Sequence, residues 1–242
     1  MTIARQGRRW WTRLERHELV WLVVGLGVCA LLLAFVTLAG KVMGGNTQAF
    51  DDRILLALRD PSDLSRPIGP EWMESSVLDL TALGGPTFLW MMVAAVAGFL
   101  VLQTRYRTAI VILVTSASGE LLNSAMKHLF NRPRPAIVPH LRAVYSTSFP
   151  SGHAMESAIV YLTLGAILMR ASDTVPTKIY ILGIAVLLTA LAGGSRVYLG
   201  VHYPTDVLAG WIVGFLWATI CWVVAQRFEG TTHIQAEKTK SA

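Results

Sequence analysis

The chain has 242 residues, of which 53% are hydrophobic and only 15% are charged. Soluble domains carry about 25% charged residues, so this composition excludes an ordinary water-soluble protein and indicates a membrane protein. The net charge of +6 does not indicate a nucleic-acid partner, because the basic residues form no long patch. They cluster instead at the ends of apolar runs, as is typical of membrane proteins.

Six apolar runs approach the roughly 20 residues that a helix needs to cross a bilayer. The predicted spans are residues 19–40, 86–104, 108–129, 154–169, 179–195 and 207–226. A cleaved signal peptide is the alternative for the first run, but that run exceeds the usual apolar core of roughly 7–15 residues. The predicted fold class is therefore an all-α integral membrane protein with a six-transmembrane helical bundle over residues 19–226.

The first connection, residues 41–85, is more polar than the spans and contains several prolines. Within it, the stretch "FDDRILLALRD" predicts a short amphipathic helix at the membrane surface. The connection between the third and fourth spans holds four prolines, which exclude a continuous helix.

The distribution of Lys and Arg predicts that both termini lie in the cytoplasm. A dense cluster precedes the first span, formed by Arg5, Arg8, Arg9, Arg13 and Arg16. Residues 1–18 are thus predicted as a basic cytoplasmic segment and residues 227–242 as a cytoplasmic tail. The loops 41–85, 130–153 and 196–205 then share the outer face, which places an active site at the outer membrane interface.

Three stretches of these outer loops hold the unusual polar residues: "KHLFNRPRP", "SFPSGH" and "SRVYLGVHYPTD". They contribute the cations Lys127, Arg134 and Arg196 and the hydroxyls of Ser151 and Ser195. Guanidinium groups match phosphate oxygens, and backbone N–H groups at a helix start add neutral donors. The pattern predicts a site for a tetrahedral oxyanion such as phosphate.

Two histidines and one carboxylate accompany these cations. A metal site is the alternative, because His202 and Asp206 are four residues apart, but three neighbouring cations would repel a divalent ion. A neutral imidazole attacks phosphorus, and a protonated one delivers a proton to a leaving oxygen. Asp206 is close enough in sequence to accept from the His202 ring nitrogen that does not attack phosphorus, which favours His202 as nucleophile. His153 has no such partner at that spacing, which favours it as the acid.

The same residues resemble the three-part signature of the type 2 phosphatidic acid phosphatase family. The first part is Lys127, six residues, then Arg134 and Pro135; the second is the run Pro150–His153. The third is Ser195 and Arg196, five residues, His202, three residues and Asp206. This family contains integral membrane lipid phosphatases and the related vanadium haloperoxidases.

The resemblance implies a role for each residue of the signature. The phosphate would be held by Lys127, Arg134, Ser151, Gly152, Ser195 and Arg196. His202 would form a phosphohistidine, Asp206 would orient it, and His153 would protonate the leaving group. The resemblance implies that no metal or other cofactor is required.

The expected function is hydrolysis of a lipid phosphate or diphosphate, of the undecaprenyl-diphosphate, phosphatidylglycerophosphate or phosphatidate type. The expected location is a bacterial inner membrane, among membrane lipids, with the active site facing the periplasm or outside. A vanadate-dependent haloperoxidase is an alternative, although those enzymes are soluble. A non-enzymatic anion carrier is the other.

Four charged residues outside the signature also need an interpretation. Arg132 and Arg142 are predicted to be exposed loop charges; the alternative is that they widen the field that attracts an anionic headgroup. Glu156 lies three residues after His153 and shares its helix face, so it is a candidate lining residue. Glu120 lies about 10 Å below Lys127 at about 1.5 Å per residue, which makes direct catalysis by it an unfavoured hypothesis.

Overall fold

The computed structural model describes residues 16–240, and it describes side chains for residues 18–226. The long helices are α1 (Arg16–Met43), α4 (Pro86–Leu102), α5 (Tyr106–Phe130), α6 (Gly152–Arg170), α7 (Val175–Tyr198) and α8 (Pro204–Lys240). The first connection contains α2 (Gln48–Ala57), β1 (Arg59–Asp60), β2 (Asp63–Pro67), α3 (Glu71–Leu80) and a 3₁₀ helix, Thr81–Gly84. Most of the predicted basic segment, residues 1–15, lies outside the described residues.

Within the described residues, five helices are long and apolar enough to cross a membrane, namely α1, α5, α6, α7 and α8 up to Gln226. A sixth span is present if the pair Glu71–Gly84 and Pro86–Leu102, bent by 50°, counts as one. The pair is needed because α4 alone has 17 residues, slightly short of a bilayer's thickness. The predicted all-α membrane bundle is confirmed, and within residues 16–240 only the short antiparallel pair β1–β2 forms a sheet.

Helices α6 and α8 approach each other backbone to backbone. A Cβ atom on Gly210 would lie 2.6 Å from the Ser151 carbonyl oxygen, and one on Gly214 would lie 2.5 Å from that of Met155. Only glycine allows this approach, which is a common means of close helix packing in membranes. The N–H of Ser151 consequently donates to the carbonyl of Asp206 at 3.0 Å, which joins the starts of the two helices.

The predicted amphipathic helix forms as α2, but part of its surface is buried in protein rather than resting on the membrane. Asp51 and Leu55, one turn apart, are both fully buried. The following hairpin is tied to the bundle by Arg59, whose buried Nη1 donates to the Tyr198 carbonyl at 2.9 Å. A cation at the C-terminus of α7 also interacts favourably with the helix dipole. The connection is thus a packed part of the fold.

Three phenylalanines fix the segment that leads into α6. Phe35 of α1, Phe130 of α5 and Phe149 form a cluster with ring centroids 5.0 to 6.2 Å apart. Phe149 is fully buried and is followed by Pro150, through a cis peptide bond, and by Ser151. Aromatic packing of this kind restrains the backbone on which the start of α6 is built.

Candidate active site

A cavity of about 260 Å³ lies where the ends of α5, α6 and α7 meet the loop between α5 and α6. Six of the nine predicted site residues line it: Lys127, Arg134, Gly152, His153, Arg196 and His202. These residues come from four separate parts of the chain, and the bundle brings them into one space. The other three, Ser151, Ser195 and Asp206, are buried and do not belong to its lining.

His202 lies in the short connection between α7 and α8 and is only 2% exposed. Its Nε2 lies 3.2 Å from Nη1 of Arg134. Because a guanidinium only donates, Nε2 accepts and the proton of the neutral ring lies on Nδ1. Nδ1 faces Oδ2 of Asp206 at 3.5 Å. The lone pair of His202 therefore points into the cavity, and its N–H points to the carboxylate.

The Asp206 carboxylate is fully buried and held from several directions. The Ser148 hydroxyl and the N–H of Tyr203 both donate to its Oδ2, the latter at 2.9 Å. Nη1 of Arg132 donates to Oδ1 at 2.6 Å. A carboxylate that is fixed at both oxygens holds a neighbouring imidazole in one orientation.

Burial dominates the protonation of His202. Loss of contact with water disfavours the charged ring and lowers the pKa of His202 to about 4, although the Asp206 carboxylate opposes this effect. Arg134 and Arg196 lower the pKa of His202 further. The ring is therefore neutral at physiological pH, the form in which an imidazole is a nucleophile.

The three predicted cations are positioned by neutral partners. Nε of Arg134 donates to the Ser146 carbonyl and Nη1 donates to the Val201 carbonyl, both at 2.6 Å. Nη1 of Arg196 donates to the buried Thr81 hydroxyl at 3.0 Å, and its buried Nε has no protein partner. Lys127 donates from Nζ to the Ser146 hydroxyl at 3.2 Å. No carboxylate among the described side chains forms an ion pair with these cations, so the cavity favours an anion.

The two predicted serines are placed differently from each other. The Ser195 hydroxyl donates to the Ala192 carbonyl within α7 at 2.8 Å. Ser151 precedes the first residue of α6, and its buried hydroxyl oxygen has no partner in the described structure. Ser151 thus retains unused hydrogen-bonding capacity beside the cavity, whereas the Ser195 hydroxyl is already engaged.

His153 lies in the first turn of α6 and lines the cavity together with His202. Its backbone packs closely on the 3₁₀ helix, since a Cβ on Gly84 would lie 3.0 Å from the His153 Cβ. The described structure gives its ring no hydrogen-bond partner. Both ring nitrogens therefore remain available to a bound molecule.

Arg132 corrects one sequence-based interpretation, because it is a buried residue and not an exposed loop charge. Its side chain is 7% exposed and donates to Asp206 at 2.6 Å and to Asp51 at 2.9 Å. Its guanidinium carbon also lies 4.0 Å from the centre of the Tyr203 ring. Although burial disfavours its charge, the Asp206 and Asp51 carboxylates raise the pKa of Arg132 above its usual value.

Asp51 is the residue that sequence reasoning missed. Its carboxylate accepts from the N–H of Thr205 at 3.0 Å and from the Thr205 hydroxyl at 2.7 Å, at the first turn of α8. A carboxylate at a helix start is favourable for the helix dipole. The available signal was its position four residues before Leu55, which puts both on the buried face of α2.

The two membrane carboxylates differ in location. Glu156 lines the cavity, as its position one turn from His153 predicted, and accepts from Nδ2 of Asn123 at 2.8 Å. Glu120 does not line this cavity; it accepts from the indole N–H of Trp90 at 2.8 Å, in a groove between α4, α5 and α6 that Glu156 also lines. The hypothesis of direct catalysis by Glu120 therefore gains no support.

The described part of the chain contains no group of three or more His, Cys, Asp or Glu side chains arranged to hold a metal ion. The cavity itself presents two histidines and one carboxylate, Glu156, among four basic side chains. Repulsion by those cations disfavours a divalent ion at this position. Metal independence remains a prediction for experiment.

The sequence profile of the PAP2 superfamily matches residues 108–229, which include all nine predicted site residues, from Lys127 to Asp206. Phosphatidylglycerophosphatase B of Bacillus subtilis is 31% identical over 193 residues, covering 77% of this chain and 89% of that protein. The undecaprenyl-diphosphatase of Sulfolobus acidocaldarius is 31% identical over 135 residues, covering 54% of this chain and 60% of that protein.

A solved structure has a similar fold. The crystal structure of a transmembrane PAP2-type phosphatidylglycerolphosphate phosphatase from Bacillus subtilis superposes with a TM-score of 0.73 at 29% identity. The match covers 83% of this chain and 96% of that one. The family resemblance drawn from the three sequence stretches is confirmed.

Proposed function

The chain belongs to the PAP2 superfamily, and from this premise we propose that it is an integral membrane phosphatase that removes phosphate from a lipid phosphate or diphosphate. One observation carries the proposal. His202 directs a neutral Nε2 into a cationic cavity while its Nδ1 faces a buried carboxylate. This is the arrangement that nucleophilic attack on phosphorus needs.

In the first step of the proposed reaction, the phosphate enters between Lys127, Arg134 and Arg196. A phosphate oxygen then accepts the hydrogen bond that Arg134 otherwise donates to Nε2 of His202. Nε2 then attacks phosphorus in line with the leaving oxygen. The P–O bond breaks with its electron pair on that oxygen, which receives a proton from His153.

In the second step, water attacks phosphorus in the phosphohistidine. His153, now neutral, accepts the proton of that water, and the P–N bond breaks with its electron pair on Nε2. Inorganic phosphate leaves, and both histidines regain their starting forms. Asp206 stabilises the positive charge that His202 carries between the two steps.

The membrane setting of the cavity favours a substrate that is anchored in lipid. The cavity lies at the ends of membrane-spanning helices, and α1 exposes almost its whole length, as a lipid-facing helix does. The two relatives described above act on lipid-linked phosphates by their names. We propose a polyprenyl diphosphate or phosphatidylglycerophosphate as the physiological type.

The proposal is tested by phosphate release from purified protein in the presence of a chelator. The substrates are phosphatidate, phosphatidylglycerophosphate and farnesyl diphosphate, with a water-soluble phosphomonoester for comparison. Lipid substrates are expected to be hydrolysed faster than the soluble one, with full rates in chelator. Loss of activity in chelator contradicts the metal-free mechanism, and absence of phosphate release from every lipid contradicts the function.

The pKa of His202 gives a prediction for pH dependence. Since burial lowers this pKa to about 4, the ring is expected to stay neutral as the pH falls through 6.5 and to gain its proton only near pH 4. The nucleophile is then lost below about pH 4. Nitrogen-15 NMR of histidine-labelled protein checks this, with His202→Gln identifying the resonance; titration near 6.5 contradicts the buried neutral ring.

We also propose that both termini lie in the cytoplasm and that the cavity opens to the periplasm. The test uses single cysteines at Tyr145, which is 98% exposed at the cavity rim, and at Asp173, between α6 and α7, in a chain without Cys29 and Cys221. An impermeant thiol reagent on intact cells is expected to label only the first. Labelling of only the second contradicts this orientation, and permeabilised cells provide the control.

A further inference from the structure

The cavity contains a fourth cation, Arg142, that the family signature does not include. Arg142 lines the cavity from the loop between α5 and α6. The other three cations each donate to a carbonyl or hydroxyl of the protein. The exposed Arg142 guanidinium makes no hydrogen bond or ion pair with any residue that the structure describes. All of its donors are therefore free for a ligand.

Arg142 lies within electrostatic reach of the part of the cavity where the leaving group would lie. Its charge acts on His153, the proposed acid, and on Arg196. By contrast, Arg134 contacts Nε2 of His202 directly, on the side of the attacking atom. The free guanidinium thus acts on the proposed acid, which faces the leaving oxygen, whereas Arg134 contacts the nucleophile.

The size of the cavity leaves room for more than one phosphate. Its volume of about 260 Å³ is several times the roughly 30 Å³ that one water molecule occupies in the liquid. The three signature cations line the cavity together with His202, and Arg134 contacts it directly. Next to Arg142, the rim continues as Ala143 and Val144, which offer no charge of their own. A second anionic group entering there would meet one unpaired guanidinium.

We propose that Arg142 binds the second phosphate of a diphosphate lipid, the phosphate that departs with the lipid chain. This inference rests on the proposed function and narrows its substrate class. His202 attacks the terminal phosphorus, the bond to the bridging oxygen breaks, and its electron pair remains on the departing lipid monophosphate. Arg142 neutralises the charge that this group gains. Water then releases inorganic phosphate from His202.

The two substrate classes place different demands on the leaving side. A lipid monophosphate releases an alcohol, whose oxygen needs the proton of His153 and carries no charge for Arg142 to bind. A diphosphate releases a phosphate monoester, and a guanidinium binds two of its oxygens at once. Arg142 therefore acts as a specificity-determining residue for diphosphates.

Farnesyl diphosphate and farnesyl monophosphate test this, because they share one chain and differ by one phosphate. Arg142→Ala is expected to lower kcat/KM for the diphosphate by about 10- to 100-fold, the value of a hydrogen bond to a charged group. The monophosphate is expected to lose less than about 3-fold. Arg142→Lys retains the charge but not the paired donors, so it is expected to recover part of the loss.

The matched control is Arg53→Ala, which removes an exposed arginine of α2 that does not line the cavity. It is expected to leave both rates unchanged. Equal losses for both substrates in Arg142→Ala, or an unchanged diphosphate rate, overturn the inference while the phosphatase function stands. A wild-type protein that hydrolyses only the monophosphate also overturns it. A wild-type protein that hydrolyses neither overturns the proposed function itself.

Discussion

Replacing His202 with alanine is expected to reduce phosphate release by at least about 10⁴-fold, since the removal of a catalytic nucleophile has effects of this size or larger. Alanine has no atom that attacks phosphorus. The anion-binding groups are retained, because Arg134 keeps its bonds to the Val201 and Ser146 carbonyls. Substrate binding is therefore expected to survive better than turnover.

The measurement is phosphate release from a lipid phosphate by wild type and variant at equal concentration. His140→Ala is the control, because that histidine lies in the neighbouring loop and bonds to the Pro135 carbonyl rather than lining the cavity. His202→Gln keeps most of the side-chain volume and separates lost chemistry from lost packing. If His202→Ala retains wild-type turnover, His202 is not the nucleophile. If neither wild type nor variant hydrolyses lipid phosphates but both transport them, the protein is a carrier.

Replacing Arg132 with methionine is expected to lower the free energy of unfolding by about 3–5 kcal/mol, the cost of leaving a buried charge without its partner. Both Asp51 and Asp206 are fully buried, and each receives a short bond from this guanidinium. Asp206 would also lose a restraint on the oxygen opposite His202. Activity is therefore expected to fall along with stability.

Unfolding in detergent measures the effect, with Arg53→Met as a control for loss of an exposed arginine. Adding Asp51→Asn to Arg132→Met is expected to recover part of the stability, because it removes one of the two unpaired charges; such coupling is typical of residues in one network. Arg132→Lys is expected to be intermediate, since one ammonium reaches two carboxylates less well than a planar guanidinium. An Arg132→Met protein as stable as wild type contradicts a structural role for the network.

The spans and the positions of the signature histidines could be predicted from the sequence because they depend on residues that are close together in the chain. An apolar run of about 20 residues defines a membrane helix by itself, as for α1. His202 lies two residues before α8 and Asp206 lies in the first turn of that helix, and the structure has imidazole and carboxylate 3.5 Å apart. In both cases the relevant neighbours are close in sequence.

The burial of Arg132 could not be predicted in this way, whereas the exposure predicted for Arg142 is confirmed. Both are arginines of one polar loop, yet one is buried and the other is exposed at the cavity. What separates them is Asp51, which comes from α2 and meets Arg132 only when the first connection packs on the start of α8. The bent helix pair before α4 depends in the same way on tertiary packing.

The measurement that most directly tests the account is capture of the covalent intermediate. Wild-type protein turning over a lipid phosphate labelled at its terminal phosphorus is denatured in alkali, in which phosphohistidine survives, and its peptides are mapped by mass spectrometry. The account predicts phosphate on His202 of the wild type and no labelled peptide from His202→Ala. Phosphate on any other residue, or on His202→Ala, would contradict it.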